Sequence, residues 1–365
     1  MGSFIPLLIA VVACATFVHS APQNVSATSC TFTKYKKDEI KKAQKECSEL
    51  TLNGIEVPAG ETLDLTHLKS GAKVVFKGTI TWAYKEWKGP LIKVAGSNIE
   101  IIGSSGHVLD GRGKLWWDGK GGNGGKKKPK FFAAKLKNSK IHKLNIKNTP
   151  VHAFSISGCE GLEIQDVTID NKAGDSGGGH NTDAFDVGNS NDVTIKHCTI
   201  YNQDDCLAIN SGTKITFTDN YCSGGHGISI GSVGGRDNNV VKNVKVSDCE
   251  ITKSDNGVRI KTVYGAKGSV SDITYQNIKL SKIHKYGIVI EGDYENGSPT
   301  GKPTGGVPIT GLTVKNVKGS VDSGGVNVYV LVENAKDWHF SGISVSGGKK
   351  KKTCKGIPSS AGISC

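Results

Sequence analysis

The sequence predicts an all-β protein, a single-domain right-handed parallel β-helix with a helix that caps its N-terminal end. Short apolar strand motifs recur through the middle of the chain, and 48 glycines among 365 residues favour turns over long helices. The segments between the strand motifs also lack extended helical periodicity. A solenoid of parallel β coils has this combination, because each coil contributes short strands that are joined by turns.

The chain opens with an apolar run from Phe4 to Val18, which is followed by the small residues Ser20 and Ala21. This run is too short and too near the start for a membrane span. We interpret residues 1–20 as a signal peptide and residues 21–365 as one domain; a first buried strand or helix is the alternative. No further apolar stretch has spanning length. We therefore expect a secreted, extracellular protein without a membrane partner.

One amphipathic helix is predicted near the start of the domain, from about Lys37 to Leu50. Ile40, Ala43 and Cys47 recur at helical spacing on the same face as Leu50. A helix at this place would cover the first coil, whose edge would otherwise expose unpaired backbone groups.

Two strand motifs alternate through the central part of the chain. The first is apolar-x-apolar, and it occurs as Leu162-Glu163-Ile164, Val193-Thr194-Ile195, Ile215-Thr216-Phe217, Val244-Lys245-Val246, Ile273-Thr274-Tyr275 and Leu312-Thr313-Val314. The second lies between these and occurs as Phe185-Asp186-Val187, Leu207-Ala208-Ile209, Ile228-Ser229-Ile230, Val258-Arg259-Ile260, Ile288-Val289-Ile290 and Val328-Tyr329-Val330. Hairpin turns and four-stranded blade repeats are not found, which argues against a sandwich and a propeller.

The cysteines indicate both disulfides and free thiols. Without residues 1–20 the chain keeps nine of its ten cysteines, so at least one must be unpaired. Pairing between near neighbours predicts the disulfides Cys30–Cys47, Cys206–Cys222 and Cys354–Cys365. Three remain beside apolar strand motifs, where we expect buried thiols: Cys159, Cys198 and Cys249. Asn24 in Asn24-Val25-Ser26 is a candidate glycan acceptor.

The formal charge of +13 favours a polyanionic partner: an acidic polysaccharide, a nucleic acid or an anionic membrane. We expect no nucleic-acid partner, because no zinc-finger spacing or other nucleic-acid-binding motif accompanies the basic residues. The runs Lys126-Lys127-Lys128 and Lys349 to Lys352 are interpreted as solvated loop charges. Charge alone does not identify the substrate.

Polar side chains recur at one edge of consecutive predicted coils. Equivalent positions of neighbouring coils lie about 4.8 Å apart. Two residues before the second strand motif, successive coils carry Asp183, Asp205, His226, Asn256 and Tyr286. Asp204 comes directly before Asp205, and Asp255 comes directly before Asn256. Three of these carboxylates and the histidine are therefore predicted to lie close together on three consecutive coils: Asp183, Asp204, Asp205 and His226.

Carboxylates held this close cannot all ionise without cost, so their pKa values must differ. One protonated and one ionised carboxyl group are what the hydrolysis of a glycosidic bond requires. Arg259 and Lys261 alternate with apolar residues and should both face outwards, where they would suit a substrate that carries carboxylates.

Two other interpretations of the aspartates are open. Asp residues in solenoid turns often bind only local backbone, and a carboxylate cluster can hold calcium. The histidine and the two cations favour catalysis over both. We expect no metal and no cofactor.

Four motifs resemble the signature motifs of the polygalacturonase family of glycoside hydrolases: Asn181-Thr182-Asp183, Gln203-Asp204-Asp205, Gly225-His226-Gly227 and Arg259-Ile260-Lys261. They occur in the family's order and at compatible spacing. The stretch from Lys114 to Phe132 is similar to a region of fungal-type endo-enzymes, and the resemblance extends from about Cys30 to Cys365. It implies a secreted endo-polygalacturonase that hydrolyses internal α-1,4 links of homogalacturonan with inversion.

The resemblance also implies four catalytic residues. Asp204 would be the general acid. Asp183 and Asp205 would hold or activate the attacking water, and His226 would tune the acid or position the sugar.

Four further residues would bind substrate. Asn181 would lie near the cleaved bond, and Arg259 and Lys261 would bind galacturonate carboxylates. Tyr294 matches a substrate-contacting tyrosine of the family. The expected partner is homogalacturonan, and a plant polygalacturonase-inhibiting protein is a further candidate. We expect a monomer, because an open groove needs no second copy.

Several related activities remain as alternatives. An exo-polygalacturonase would usually carry insertions that block one end of the groove, and a pectate lyase would depend on calcium. A rhamnogalacturonan hydrolase fits Arg259 and Lys261 less well. A catalytically inactive pectin-binding homologue would be expected to lack an aspartate or one of the two cations, but the sequence retains them all.

Overall fold

Parallel strands dominate the residues that the computed structural model describes, namely 1–2, 30–296 and 299–365. The first ten strands are β1 Thr31–Phe32, β2 Glu49–Asn53, β3 Glu56–Val57, β4 Leu63–Leu65, β5 Lys73–Lys77, β6 Thr79–Trp82, β7 Ile92–Ser97, β8 Glu100–Gly103, β9 Val108–Asp110 and β10 Phe132–His142. The next ten are β11 Asn145–Lys147, β12 Phe154–Ser157, β13 Glu160–Gln165, β14 Thr168–Asp170, β15 Phe185–Gly188, β16 Ser190–Lys196, β17 Thr199–Asn202, β18 Leu207–Ile209, β19 Gly212–Thr218 and β20 Tyr221–Gly224. The remaining strands are β21 Ile228–Val233, β22 Val240–Ser247, β23 Glu250–Thr252, β24 Asn256–Val263, β25 Ser269–Ile283, β26 Tyr286–Tyr294, β27 Ile309–Val321, β28 Val326–Leu331, β29 Ala335–Ser341 and β30 Ser344–Ser346.

These strands stack in three columns, and neighbours within each column pair in parallel. The column that we call the groove column consists of β4, β7, β10, β12, β15, β18, β21, β24, β26 and β28. A second column runs from β1 and β2 through β16 to β29, and a third runs from β3 through β17 to β30. Successive turns of the chain extend all three columns, and the long strands β10, β25 and β27 each belong to two of them. The predicted parallel β-helix is confirmed.

The interior of the coil is a continuous apolar core in which side chains stack from one coil to the next. Phe132, Phe154 and Phe185 are fully buried, with ring centroids 5.0 and 5.2 Å apart, and Phe217 lies 6.3 Å from Phe185. Burial of one such side chain stabilises the fold by roughly 1.5–3 kcal/mol. The apolar first and third residues of each predicted motif therefore face inwards.

Asparagine and aspartate make the turns between the second and third columns. Asp248, Asn277 and Asn316 have φ values of 56°, 55° and 53°, a left-handed conformation that these residue types tolerate. The Asn277 amide donates to Asp248 Oδ1 at 2.8 Å, and the Asn316 amide donates to Asn277 Oδ1 at 3.1 Å. This ladder is the structural use of Asp and Asn considered above, and it lies away from the groove column.

The capping helix α1, Lys37–Glu46, buries Ile40 and Ala43 and ends earlier than predicted. Leu50 belongs to β2 and not to the helix, so the predicted C-terminal boundary was wrong. The backbone turns extended at Cys47, which is tied to Cys30 by a disulfide, and β2 then pairs with β5. Strand pairing overrides the helical periodicity there.

Three short helices in the described part of the chain were not predicted: α2 at Gly174–Gly177 and 3-10 turns at Gly113–Leu115 and Gly121–Asn123. They belong to loops that precede groove-column strands. None of the described helices is long and apolar enough to cross a membrane. Asn24 and nearly all of the predicted signal peptide lie outside the described residues.

The structure contains the disulfides Cys30–Cys47, Cys206–Cys222 and Cys354–Cys365. Cys159, Cys198 and Cys249 are buried free thiols. Burial raises the pKa of the Cys198 and Cys249 thiols to about 12, which makes them unreactive as nucleophiles.

The interpretation of Lys128 as a solvated charge was wrong. Its side chain is only 1% exposed, and its ammonium lies 2.8 Å from Asp118 Oδ1. Lys128 also donates to the Lys126 carbonyl at 2.9 Å. A buried cation with this set of acceptors fixes the loop between Leu115 and Phe132.

Candidate active site

The predicted aspartates lie just before two adjacent strands of the groove column. Asp183 stands two residues before Phe185, and Asp205 stands two residues before Leu207, which is the parallel partner of Phe185. The Ala184 N–H donates to the Asp205 carbonyl at 2.9 Å and continues this register. Both side chains and that of Asp204 line one groove of about 640 Å³. The three carboxylates therefore lie together, as predicted.

The backbone that carries the aspartates is held by a residue that the sequence reasoning missed. The buried Asn202 amide lies within hydrogen-bond distance of the carbonyls of Thr182, Asp204 and Asp205, at 3.1, 2.9 and 3.0 Å. On the next coil Gly225 has φ +66°, and a Cβ there would clash with the Asp204 carbonyl. These contacts leave the aspartate backbone little freedom.

Asp204 is surrounded by donors. Its Oδ1 accepts from the Asp205 N–H at 2.7 Å and lies 2.9 Å from His226 Nδ1, while its Oδ2 accepts from the Asn181 amide at 2.9 Å. Burial alone would raise the pKa of Asp204, but His226 and the other donors hold it well below its usual range. Burial likewise lowers the pKa of His226, yet the adjacent Asp204 carboxylate outweighs burial and raises it. The two side chains form an ion pair.

Asp183 has the opposite environment. Burial, followed by the negative charges of Asp204 and Asp186, raises its pKa well above the ordinary value. Carboxyl groups with widely separated pKa values therefore lie side by side, as the sequence predicted. The environment, however, favours the neutral form of Asp183, and it favours an ionised Asp204 beside a protonated His226.

A histidine and an aspartate missed by the sequence reasoning extend this cluster by one coil. His152 Nδ1 lies 3.0 Å from Asp186 Oδ2, and its Nε2 lies 3.6 Å from Asp183 Oδ1. His152 precedes Phe154 by two residues and so occupies the same position as Asp183 and Asp205. Extending the motif series back by one coil would have found it.

The two predicted cations face the groove beside the aspartates, and each already has a carboxylate partner. Lys261 Nζ lies 2.6 Å from Asp205 Oδ2, and Arg259 lies 2.9 Å from Glu291 Oε1. The Tyr294 ring centroid is 5.3 Å from Lys261 Nζ and 5.7 Å from Arg259 Cζ. A substrate carboxylate at this place would meet two cations whose charge is already shared.

Asn181 connects the aspartates to the preceding loop. Its backbone is left-handed, with φ 50°. Its Oδ1 accepts from the Gly122 N–H at 3.0 Å and faces the Asn123 amide at 3.3 Å, which leaves its own amide directed at Asp204. The loop therefore sets the orientation of Asn181.

Two groups in the described chain have donor atoms within 4.8 Å of one another: His152, Asp183 and Asp186, and Asp204, Asp205 and His226. Both contain ligand types that a divalent cation accepts. In the second group, the Lys261 ammonium at 2.6 Å from Asp205 already supplies a positive charge. Such a charge opposes cation binding.

A parallel coil with neighbouring carboxylates in an open groove fits the class of glycoside hydrolases that cleave polysaccharides. Residues 47–365 match the glycosyl hydrolases family 28, and the chain belongs to that family. It is 59% identical to endopolygalacturonase 1 of Colletotrichum lindemuthianum over 94% of each chain, and 59% identical to a polygalacturonase of Cochliobolus carbonum over 95% of this chain and 96% of that one.

A solved structure is also similar. Endopolygalacturonase I from Stereum purpureum, in complex with two galacturonates, superposes with a TM-score of 0.80 at 39% identity. The superposition covers 87% of this chain and 95% of that one.

Proposed function

We propose that this protein is an endo-polygalacturonase that hydrolyses internal α-1,4 links of homogalacturonan with inversion. The observation that carries the proposal is the convergence of Asp183, Asp204 and Asp205 with the cations Arg259 and Lys261 in one groove. The carboxylates supply acid and base for glycosidic cleavage. The cations suit a polymer with a carboxylate on every ring.

In this proposal Asp204 protonates the leaving glycosidic oxygen as the bond from that oxygen to the anomeric carbon breaks. His226 Nδ1, which lies 2.9 Å from Asp204, holds the proton that Asp204 delivers to the leaving oxygen. Water attacks the anomeric carbon from the opposite face and loses a proton to a carboxylate. Asp183 takes this proton, because burial and the neighbouring carboxylates raise its pKa, whereas Lys261 holds Asp205 in an ion pair.

Asp205 then serves mainly to orient the water. Its Oδ1 accepts from Ser229 at 2.7 Å and its Oδ2 pairs with Lys261, so its carboxylate has one fixed orientation. Arg259, Lys261 and Tyr294 bind a galacturonate next to the cleaved bond. The Asn181 amide donates a hydrogen bond to Asp204 until substrate binds.

The setting of the protein belongs to the same proposal. Residues 1–20 are removed as a signal peptide, residues 21–365 are secreted as the catalytic domain, and Asn24 carries a glycan. Three disulfides support an oxidising, extracellular destination. The enzyme acts as a monomer without a cofactor, and a plant inhibitor protein is a candidate partner. Mass spectrometry of protein from a eukaryotic culture medium tests the cleavage site and the glycan.

The test of the catalytic proposal is Asp204→Asn, assayed by reducing-end release from demethylated polygalacturonate. General acid catalysis contributes about 10²–10⁴ in rate, so we expect turnover to fall by at least about a hundredfold. The matched control is Asp248→Asn, which changes a turn aspartate far from the groove column and should leave turnover unaltered. A variant of Asp204 that retained more than a tenth of the activity would overturn the assignment.

The same assay separates endo- from exo-action. Internal cleavage lowers the viscosity of the polymer long before many reducing ends appear. An exo-enzyme releases reducing ends while the viscosity stays high.

A further inference from the structure

His152, Asp183 and Asp186 come together in the groove on two adjacent coils. The Ala153 N–H donates to the Asp183 carbonyl at 2.8 Å, which places His152 beside Asp183 across the two coils. Asp186 alternates with two buried residues of strand β15, so its side chain faces the groove. All three side chains line the same space of about 640 Å³.

One atom of each of these three side chains is buried without a hydrogen-bond partner in the described protein: His152 Nδ1, Asp183 Oδ1 and Asp186 Oδ2. His152 Nδ1 lies 3.0 Å from Asp186 Oδ2, but the two atoms are not aligned as a hydrogen bond, and His152 Nε2 lies 3.6 Å from Asp183 Oδ1. Asp183 is only 7% exposed, so bulk solvent has little access to its carboxylate. Buried polar atoms are nearly always paired in native proteins. Three unpaired atoms that face one another therefore indicate a site for a ligand.

The charge of this group indicates a cation. The neighbouring Asp205 has the Lys261 ammonium at 2.6 Å. Asp183 and Asp186, by contrast, have His152 as their only ion-pair partner within the described ranges. Buried charges are paired in proteins or coordinate a metal. A cation bound between the two carboxylates would balance their negative charge.

The donor atoms favour a transition metal over calcium or magnesium. One nitrogen of His152 and one oxygen each of Asp183 and Asp186 lie within 4.8 Å of one another. Zinc bonds of about 2.0–2.2 Å would draw these atoms to within about 4 Å of one another, which needs only side-chain rotation. An imidazole nitrogen suits zinc and its neighbours, whereas calcium and magnesium prefer oxygen ligands alone. Three protein ligands and one open position are usual for a zinc ion that water can reach.

We propose that His152, Asp183 and Asp186 bind a zinc ion or a similar transition-metal ion, and that the bound ion inhibits the enzyme. The inhibition rests on the proposed function, in which Asp183 accepts a proton from the attacking water. A carboxylate oxygen that coordinates zinc no longer offers its electron pair to that proton. The ion is therefore an inhibitor and not a cofactor, and hydrolysis is fastest when the site is free of metal.

Calorimetric titration of the untagged, chelator-treated and dialysed protein with zinc chloride tests the site without substrate. The wild type should bind one ion at this site. His152→Gln removes one of three ligands and should raise the Kd at least about tenfold. Asp186→Asn should act in the same direction, and it serves as the second variant if thermal unfolding shows that His152→Gln does not fold.

The matched control is His197→Gln. His197 also lies between two carboxylates, at 3.8 Å from Asp166 and 3.9 Å from Asp219, but its side chain is 52% exposed on another face of the coil. This substitution should leave the Kd unchanged. No zinc binding by the wild type, or an unchanged Kd in a folded His152→Gln or Asp186→Asn variant, would overturn the site.

Hydrolysis of a short oligogalacturonate in the presence of zinc tests the inhibition. Zinc that saturates the site should lower the wild-type rate at least about tenfold, and His152→Gln should need at least about tenfold more zinc for the same effect. Because the substrate carboxylates also bind cations, calcium chloride at the same concentration is the control, and it should leave the rate nearly unchanged.

The outcomes separate the metal site from the catalytic proposal. Zinc that binds at this site without slowing hydrolysis would overturn the inhibition and the assignment of Asp183 as the base, but the site itself would stand. If the metal-free protein hydrolysed no oligogalacturonate, the proposed function would fail. The calorimetric comparison of wild type and His152→Gln would still decide whether the site exists, because it needs no activity.

Discussion

At the scale of single residues, the pKa values of Asp183 and Asp204 are shifted in opposite directions. Asp204 is ionised beside a protonated His226, whereas burial and neighbouring carboxylates favour a neutral Asp183. The proposed reaction needs an ionised Asp183 and a proton on the His226–Asp204 pair. The two requirements have opposite pH dependence, so activity is confined between two titrations.

We therefore predict a bell-shaped dependence of kcat/KM on pH. Activity should rise as the pH rises through the elevated pKa of Asp183, because the base must lose its proton. It should fall as the pH rises further, through the elevated pKa of His226, because the pair then loses the proton that Asp204 delivers. His226→Gln should shift or abolish the alkaline limb and leave the acid limb in place. An unchanged alkaline limb in that variant would remove His226 from the acid function.

Arg259→Ala should weaken substrate binding more than turnover. Hydrogen bonds to charged groups contribute about 1.5–3 kcal/mol, so we expect the Kd for an oligogalacturonate to rise about 10- to 100-fold. Part of that loss could come from Glu291, which would be left unpaired beside the substrate carboxylate. The double variant Arg259→Ala/Glu291→Gln separates the two effects. Binding restored to the wild-type level in the double variant would show that Arg259 only neutralises Glu291.

The sequence was sufficient to bring the aspartates, His226, Arg259 and Lys261 together, because equivalent positions of a coil stack regardless of loop length. It could not show which charges pair. Lys261 lies 2.6 Å from Asp205, which is 56 residues away, and such a contact depends on side-chain directions across coils. Asn202 was missed for a related reason: it binds backbone carbonyls, and backbone acceptors leave no mark on the sequence.

At the scale of elements, the loop between Leu115 and Phe132 positions part of the groove. Trp117 Nε1 donates to the Thr149 carbonyl at 3.1 Å and attaches this loop to the coil. The ion pair between Asp118 and Lys128 holds the two arms of the loop together. The same loop orients Asn181 through Gly122. A loop far from the aspartates in sequence therefore affects the environment of Asp204.

Asp118→Ala should destabilise the fold by about 3 kcal/mol, because it leaves the Lys128 ammonium buried without its partner. Although burial alone would raise the pKa of Asp118, Lys128 and backbone donors lower it from 3.8 to about 2. A depressed folded-state pKa contributes stability above the unfolded value, and the contribution is lost as the pH falls towards about 2. The difference in unfolding free energy between wild type and variant should therefore shrink in acid.

Thermal and urea unfolding at neutral and acidic pH measure this effect. The matched control is Glu160→Gln, which breaks an exposed ion pair with Lys137 and should cost less than about 1 kcal/mol. An equal effect of the two substitutions would mean that the Asp118–Lys128 pair does not hold the loop.

At the scale of the whole molecule, repetition made the fold predictable. Two apolar positions per strand motif, repeated with variable insertions, were enough to indicate a parallel coil. The physical result is the buried row of Phe132, Phe154 and Phe185, with the Phe217 ring edge-on to Phe185. The ends of the repeat were less predictable. Helix α1 stopped before Leu50 because pairing between β2 and β5 begins there. His152 was overlooked because the first coils were outside the recognised series.

The same coil places a series of charges along one column. The aspartates lie on two adjacent coils, Arg259 and Lys261 lie two coils beyond Asp205, and Tyr286 and Tyr329 follow on the next two. A polymer with a carboxylate on every ring suits a column in which paired cations follow the carboxylate cluster. We propose that this column binds galacturonan while the aspartates hydrolyse it with inversion.

The most direct test is proton NMR of the products in the first minutes of digestion, with a chelator present. Inversion requires room for a water between acid and base, about 6.5–9.5 Å between the carboxyl groups. An α-linked substrate should therefore give the β-anomer first, with the rate unchanged by the chelator. An initial α-anomer would mean a covalent intermediate and would contradict the assignment of Asp183 and Asp205. A 4,5-unsaturated product that disappears with the chelator would mean that the enzyme is a lyase.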